Sequence, residues 1–192
     1  AEECYENNNS FGSISVTIPY ARVCAALMTC TAIFGDVPVG HWARQYVEAL
    51  YTCGYTAGCS SSPLLYCPQN GMTRVESSVF ILRGNFGASY TPPSSGGSFG
   101  DNWSQGPWGQ KWAQGLLNAG LTAGCSASPL LFCPFDATPR VQLAVFGVRL
   151  RHGSSFVPPA ATGTVFADMT DTNYFGTKWA EQAYADGIIP AF

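Results

Sequence analysis

The sequence repeats itself at an offset of 66 residues, and a chain built that way must bury each unit's apolar face against a neighbouring unit. Gly58-Cys59-Ser60 through Tyr66-Cys67-Pro68 is matched by Gly124-Cys125-Ser126 through Phe132-Cys133-Pro134, and Arg74 by Arg140. A third copy opens at Phe166-Ala167-Asp168, reaches Trp179-Ala180 and stops before a cysteine loop of its own. Near the other end, Pro19 to Leu27 imitates Thr138 to Val145. The organisation this implies is an N-terminal half-repeat over 1–33, full repeats over 34–93 and 94–159, and the first half of a third over 160–192.

Each full repeat reads as helix, stapled loop, helix. The first helix of repeat one is predicted over His41 to Cys53, where Trp42, Tyr46 with Val47, and Leu50 with Tyr51 form one apolar stripe, and Gly54 follows as a C-terminal cap. Its counterparts carry Trp112, Leu116 and Ala119 before Gly120, and Trp179, Ala183 and Tyr184 before Gly187. The second helix starts near Thr73, because Thr73-Arg74-Val75-Glu76 is a capping box, and Val75, Val79 and Leu82 make its stripe. In repeat two the cap is Thr138 with Pro139 in the first turn, and the stripe is Val141, Val145 and Val148. The connectors Gly87 to Pro93 and Gly153 to Pro159 cannot continue a helix, yet Tyr90 and Phe156 recur at one position and are expected to pack. Alternation at Ile14, Val16 and Ile18 suggests a short strand.

Composition narrows the function classes. Charged residues make up 11% of the chain and the net charge is −3, so no basic footprint for nucleic acid is present. No apolar run approaches the roughly 20 residues that span a bilayer. Eight cysteines and two histidines, with no Cys-x-x-Cys, favour disulfides over a metal site and place the chain outside the cell. Cys59–Cys67 and Cys125–Cys133 read as two within-repeat bridges, while Cys4, Cys24, Cys30 and Cys53 allow three pairings. An Ala-Glu-Glu start suits a mature terminus left by signal cleavage. Nucleophile elbows, zinc-protease helices and phosphate-cradling loops are missing, so the sequence points away from catalysis and from any cofactor.

Phe34-Gly35-Asp36-Val37, Trp42-Ala43, Gly54-Tyr55-Thr56-Ala57-Gly58 and Thr73-Arg74-Val75-Glu76 together resemble the S-layer homology repeat. Repeat two resembles it through Phe99, Asp101, Trp112-Ala113, Gly120 to Gly124 and Pro139-Arg140-Val141-Gln142, and the third copy through Phe166-Ala167-Asp168 and Trp179-Ala180. The resemblance implies a mainly α, pseudo-threefold module of three helix-loop-helix repeats on a bacterial cell surface, binding cell-wall polysaccharide in grooves between repeats. It makes Arg74, Arg140 and Arg22 the candidate glycan contacts, with Asp36, Asp101, Asp168, Trp42, Trp112 and Trp179 behind them. A guanidinium suits a sugar carboxylate, and an indole face suits a sugar ring. Helical stripes equally make the tryptophans core residues, the aspartates suit turn caps, and the arginines suit intramolecular partners. The family pattern has no stapled loop, and its glutamate is Gln142 in repeat two and Cys24 in the N-terminal half.

A half-repeat with a bare stripe asks for completion. Trp179, Ala183 and Tyr184 are expected to need a partner helix of the kind found in Pro19 to Thr29, supplied by the same chain or by the next. Closure between chains is heterologous and generates a filament or surface layer. The leading expectation is therefore a non-enzymatic extracellular structural protein assembling head to tail as a homo-polymer. The alternative is a monomeric module anchored to cell-wall glycan.

Overall fold

The computed structural model describes residues 32–94, 97–104 and 106–189. Arg22, Cys4, Cys24, Cys30, the half-repeat helix and the Ile14 to Ile18 strand lie outside the described residues. The chain divides into a unit over Ala1–Asn70 and a unit over Gly71–Phe192. Among the described residues the fold is mainly α, with five helices and two two-stranded antiparallel sheets. No helix among them is long and apolar enough to cross a membrane.

In the first unit, α1 (Arg44–Thr52) precedes a hairpin of β1 (Ser60–Ser61) and β2 (Leu64–Leu65) closed by the Cys59–Cys67 disulfide. Ser60 pairs with Leu65, and Ser61 with Leu64. Phe34, Val37 and Val47 are buried at its centre. Tyr51 and Tyr66 meet the Phe34 ring edge-on at 5.1 and 5.6 Å. Each such ring removed from water contributes roughly 2–3 kcal/mol. Gly54 takes a left-handed φ of 77° after the helix, as the C-terminal glycine predicts.

In the second unit, α2 (Arg74–Phe86) leads to a 3₁₀ turn at Pro107–Gly109 and α3 (Gln110–Asn118). The second stapled hairpin, β3 (Ser126–Ala127) with β4 (Leu130–Leu131), carries Cys125–Cys133, and α4 (Arg140–His152) and α5 (Thr177–Ala185) follow. The capping box of α2 forms in both directions: Thr73 Oγ1 accepts from the Glu76 backbone and Glu76 Oε2 accepts from the Thr73 backbone. At α4 the expected cap moves by one residue. Pro139 is the N-cap, with ψ of 149°, and the Thr138 hydroxyl is taken up by Ser77 Oγ at 2.7 Å. The backbone explains the shift, because Thr138 N–H donates to Met72 and Ala137 bridges to Thr73, which holds this stretch extended.

Helix pairing follows a rule that the repeat boundaries hide. Each second helix packs on the first helix of the next repeat, α2 on α3 and α4 on α5. Val75, Leu82, Trp112 and Leu116 share the larger core, while Ala144, Val148, Trp179 and Ala183 form the smaller one. The glycines before α3 and α5 make these approaches possible. A Cβ at Gly109 would lie 2.3 Å from Val75, and one at Gly176 would lie 2.4 Å from Val141. The connector aromatics pack as expected, Tyr90 edge-on to Trp112 and Phe156 in the smaller core. Val79 and Val145 are only partly buried in their stripes.

Two expectations are corrected here. The first helix of repeat one begins at Arg44, so His41 and Trp42 precede it. The helix boundaries place α1, α3 and α5 in register at offsets of 66 and 67, which sets Trp42 opposite Trp108 and Phe175 and sets Tyr46 opposite Trp112 and Trp179. Trp112 and Trp179 are each 6% exposed, whereas Trp42 is 82% and Tyr46 61% exposed. The face of α1 that is buried carries Val47 and the Arg44–Glu48 ion pair at 2.7 Å instead. Second, Trp179 and Ala183 are not bare: α4 already covers them, and only Tyr184 of that stripe is exposed.

Candidate functional site

The aspartates of the Phe-x-Asp openings hold the stapled loops. Asp36 Oδ1 accepts from Tyr66 N–H at 2.9 Å and Oδ2 from Cys67 N–H at 2.6 Å. Asp101 does the same for Phe132 and Cys133 at 2.7 and 2.9 Å. Both second cysteines sit at positive φ, 59° for Cys67 and 55° for Cys133, a costly conformation for a residue with a Cβ. Bidentate acceptance explains how it is held, since that kink directs two consecutive N–H groups at one carboxylate. The aspartates therefore clamp a distant loop rather than cap the following turn. Asp168 occupies the same position in the third copy and is exposed. The sulfurs of Cys59 and Cys67 lie near the Asp36 carboxylate, but they are joined to each other and offer no thiolate to a metal.

Arg74 and Arg140 part company. Arg74 is 6% exposed, and its Nε donates to the Phe132 carbonyl at 2.7 Å while Nη1 donates to Gln142 Oε1. Its guanidinium also lies 5.0 Å from the centroid of the Phe132 ring. Burial pushes its pKa down, and the attraction of Asp136 and Asp101 opposes that. Arg74 thus fastens the second stapled loop to the start of α2, and Gln142, the departure from the family's glutamate, is one of its acceptors. Arg140 at the equivalent position is exposed.

In the first unit, Trp42, Tyr46, Leu50, Tyr66 and Pro68 line an open groove of about 420 Å³. His41 stacks on the Trp42 ring at 5.9 Å. Apart from His41 the groove walls are uncharged. The structure leaves Trp42 available to a ligand and spends Trp112 and Trp179 on the core.

Two repeat-wide positions escaped the sequence reading. Arg83 of α2 lies 5.5 Å from the Trp112 ring, and Arg149 of α4 lies 5.2 Å from the Trp179 ring, so one arginine per junction sits over the next repeat's indole. Arg149 Nη1 also donates to the Leu121 carbonyl, and burial pushes its pKa down. The second position is Glu48, Gln114 and Glu181 on the first helices. Each accepts a backbone N–H from just before the Phe-x-Asp opening: Ile33 at 3.1 Å, Ser98 at 2.7 Å, and Thr162 with Gly163 at 2.8 and 2.7 Å. The offsets of 66 and 67 are the signal that identifies both sets.

Two of these carboxylates set an acid limit. N–H donation from Tyr66 lowers the Asp36 pKa, with burial opposing and Cys67 and His41 assisting. At Glu181 burial raises the pKa, but the hydrogen bonds of Thr162, Gly163 and Thr164 outweigh it and hold it below the usual value. A folded pKa below the unfolded one stabilises fully above the unfolded value, about 4, and the contribution is lost as pH falls through the folded one. The melting temperature is expected to hold level down to about pH 5 and to fall below about pH 4. Glu181→Gln should make that acid limb shallower, and an unchanged limb in a pH series of melts would count against the assignment.

The disulfides have a stability role set by loop length. Each closes a loop with a sequence separation of 8, for which chain entropy gives about 2–3 kcal/mol. The double variant Cys125→Ser with Cys133→Ser is expected to lose that amount in urea unfolding, and a reductant, which opens both bridges, should produce a larger loss in the unmodified chain. No protein-family model matches the sequence, and a search of curated proteins finds no match.

Proposed function

We propose that this chain is a non-enzymatic structural protein of the bacterial cell exterior, built of three S-layer-homology-type repeats in a pseudo-threefold arrangement. Subunits join head to tail by completing the third repeat from a neighbour. The two disulfides fit the oxidising compartment this requires. One observation carries the reading. The Phe-x-Asp opening is covered by a stapled loop in repeats one and two, whereas in the third copy Phe166 meets Tyr184 edge-on and Tyr184 is 45% exposed. A large apolar ring left facing solvent there favours a protein contact. A contact between the N-terminal part of one subunit and the third repeat of the next is heterologous, so it propagates. Sedimentation of the oxidised chain at neutral pH is expected to show concentration-dependent polymers, and a stable monomer would overturn the reading.

The groove beside Trp42 favours a second activity, anchoring to cell-wall polysaccharide. An indole left 82% exposed and flanked by Tyr46 and Tyr66 suits the apolar face of a sugar ring. Trp42→Ala with Tyr46→Ala should reduce pull-down on purified cell wall about tenfold. Retained binding by the double variant would exclude this site.

A further inference from the structure

In repeat two the first turn of α2 is seated on the stapled loop and on the start of α3. Val75 N–H donates to the Pro134 carbonyl at 3.0 Å, Arg74 Nε donates to the Phe132 carbonyl at 2.7 Å, and the guanidinium lies over the Phe132 ring. The Val75 side chain abuts Gly109 and shares a core with Trp112. The seat thus consists of Phe132, Pro134, Gly109 and Trp112, and its occupant is the Arg-Val pair that opens a helix.

At the repeat offset of 66 these four positions become Tyr66, Pro68, Ala43 and Tyr46, and all four line the groove beside Trp42. The groove is therefore the same seat, left open. Tyr46 is 61% exposed where Trp112 is buried, and among the described residues nothing donates to the Tyr66 or Pro68 carbonyl. Its charge suits a cationic occupant. The first 70 residues hold Glu2, Glu3, Glu6, Asp36 and Glu48 against Arg22, Arg44 and no lysine, and Arg44 is buried in its pair with Glu48. One position differs in size. Val75 and Val141 each lie against a glycine, Gly109 and Gly176, where a Cβ would collide with them. Ala43 carries that Cβ, so the residue after the arginine must be smaller than valine. The pairs that open α2 and α4 are already seated, and Arg22-Val23 carries the same valine.

We propose that the Trp42 groove receives the first turn of a helix from a partner protein, opening with arginine followed by alanine. The guanidinium donates to the Tyr66 carbonyl over the Tyr66 ring, the alanine lies on Ala43, and its N–H donates to Pro68. This is independent of the sugar reading of the groove. A labelled peptide of the sequence Met72 to Gly87, held helical by a side-chain bridge on its exposed face, is titrated with the full oxidised chain and followed by fluorescence anisotropy. With Val75→Ala in the peptide, saturable binding is expected, and adding Arg74→Gln should weaken it about tenfold or more. The peptide that keeps its valine should bind about tenfold more weakly, and Ala43→Gly in the chain, a change an N-cap tolerates, should restore it. Tyr46→Asp in the chain should abolish binding of both peptides. No binding, or equal binding to the Tyr46→Asp chain, would overturn the seat. Valine and alanine peptides bound alike would overturn the arginine-alanine specificity. Tighter binding to an Arg22→Ser chain would show that this chain's own arginine competes for the groove, and would overturn the assignment to a partner.

Discussion

Trp112→Ala is expected to cost about 3–5 kcal/mol of folding stability, and Trp42→Ala less than about 0.5 kcal/mol. Both tryptophans begin the same kind of motif in the sequence, so the contrast tests the helix register directly. The Trp112 ring is enclosed between α2 and α3, meets Tyr90 edge-on at 6.4 Å, and carries the Arg83 guanidinium on its face. Truncation removes the ring's burial and leaves a cavity that Val75, Leu82 and Leu116 cannot fill without moving. It also strips the buried Arg83 stem of its platform. Trp42 lies ahead of α1 and faces water, where truncation leaves no cavity. Trp179→Ala should behave like Trp112→Ala, because the smaller core depends on it in the same way. Urea unfolding with unchanged m-values decides the matter. Equal losses at Trp42 and Trp112 would return the three tryptophans to one equivalent position.

The second large effect is expected at Arg74. Arg74→Ala should cost about 3–4 kcal/mol, combining a lost charge-assisted hydrogen bond with the desolvation of the stranded Phe132 carbonyl. The Phe132 ring, buried beneath the guanidinium, also loses its cation–π partner. Arg140→Ala, at an exposed position, should cost less than about 1 kcal/mol. Arg74→Lys should restore little, since an ammonium cannot serve the carbonyl and Gln142 in the same planar geometry. Thermal melts of the three variants test this, with retained stability in Arg74→Ala refuting the clamp. Loss of wall binding in Arg74→Ala would then report unfolding of the second stapled loop rather than a missing glycan contact.

Much of the local structure was legible because it depends on short-range chemistry. The Thr73-Glu76 capping box, the glycine at 54 and the two cysteine staples each need only a few neighbouring residues, and all form as read. The cap of α4 was misplaced because Thr138 had a partner 61 residues away in Ser77, which no local pattern encodes. The tryptophans were misaligned for a related reason. A Trp-Ala pair recurs as Trp42-Ala43 and Trp112-Ala113, but one extra residue before the second helix and a one-turn displacement of the motif separate the two. The roles of Asp36 and Asp101 lay in contacts 31 residues distant, so a turn cap was the nearest local guess.

The sequence by itself determined that this chain is a tandem array of mainly helical, disulfide-stapled units, because period, cap and cysteine spacing are local and repeated. The tertiary structure alone decided which helix closes which. A 66-residue period says nothing about where a packing unit begins, and the coherent pairs are α2 with α3 and α4 with α5, each spanning a repeat boundary. Burial then separated residues that the sequence had grouped. Trp112 and Trp179 lie under a preceding second helix while Trp42 faces water, and Arg74 lies under a stapled loop while Arg140 is exposed. The physical reason is the same in each case: desolvation depends on what lies opposite a side chain, and that is set by contacts far away along the chain.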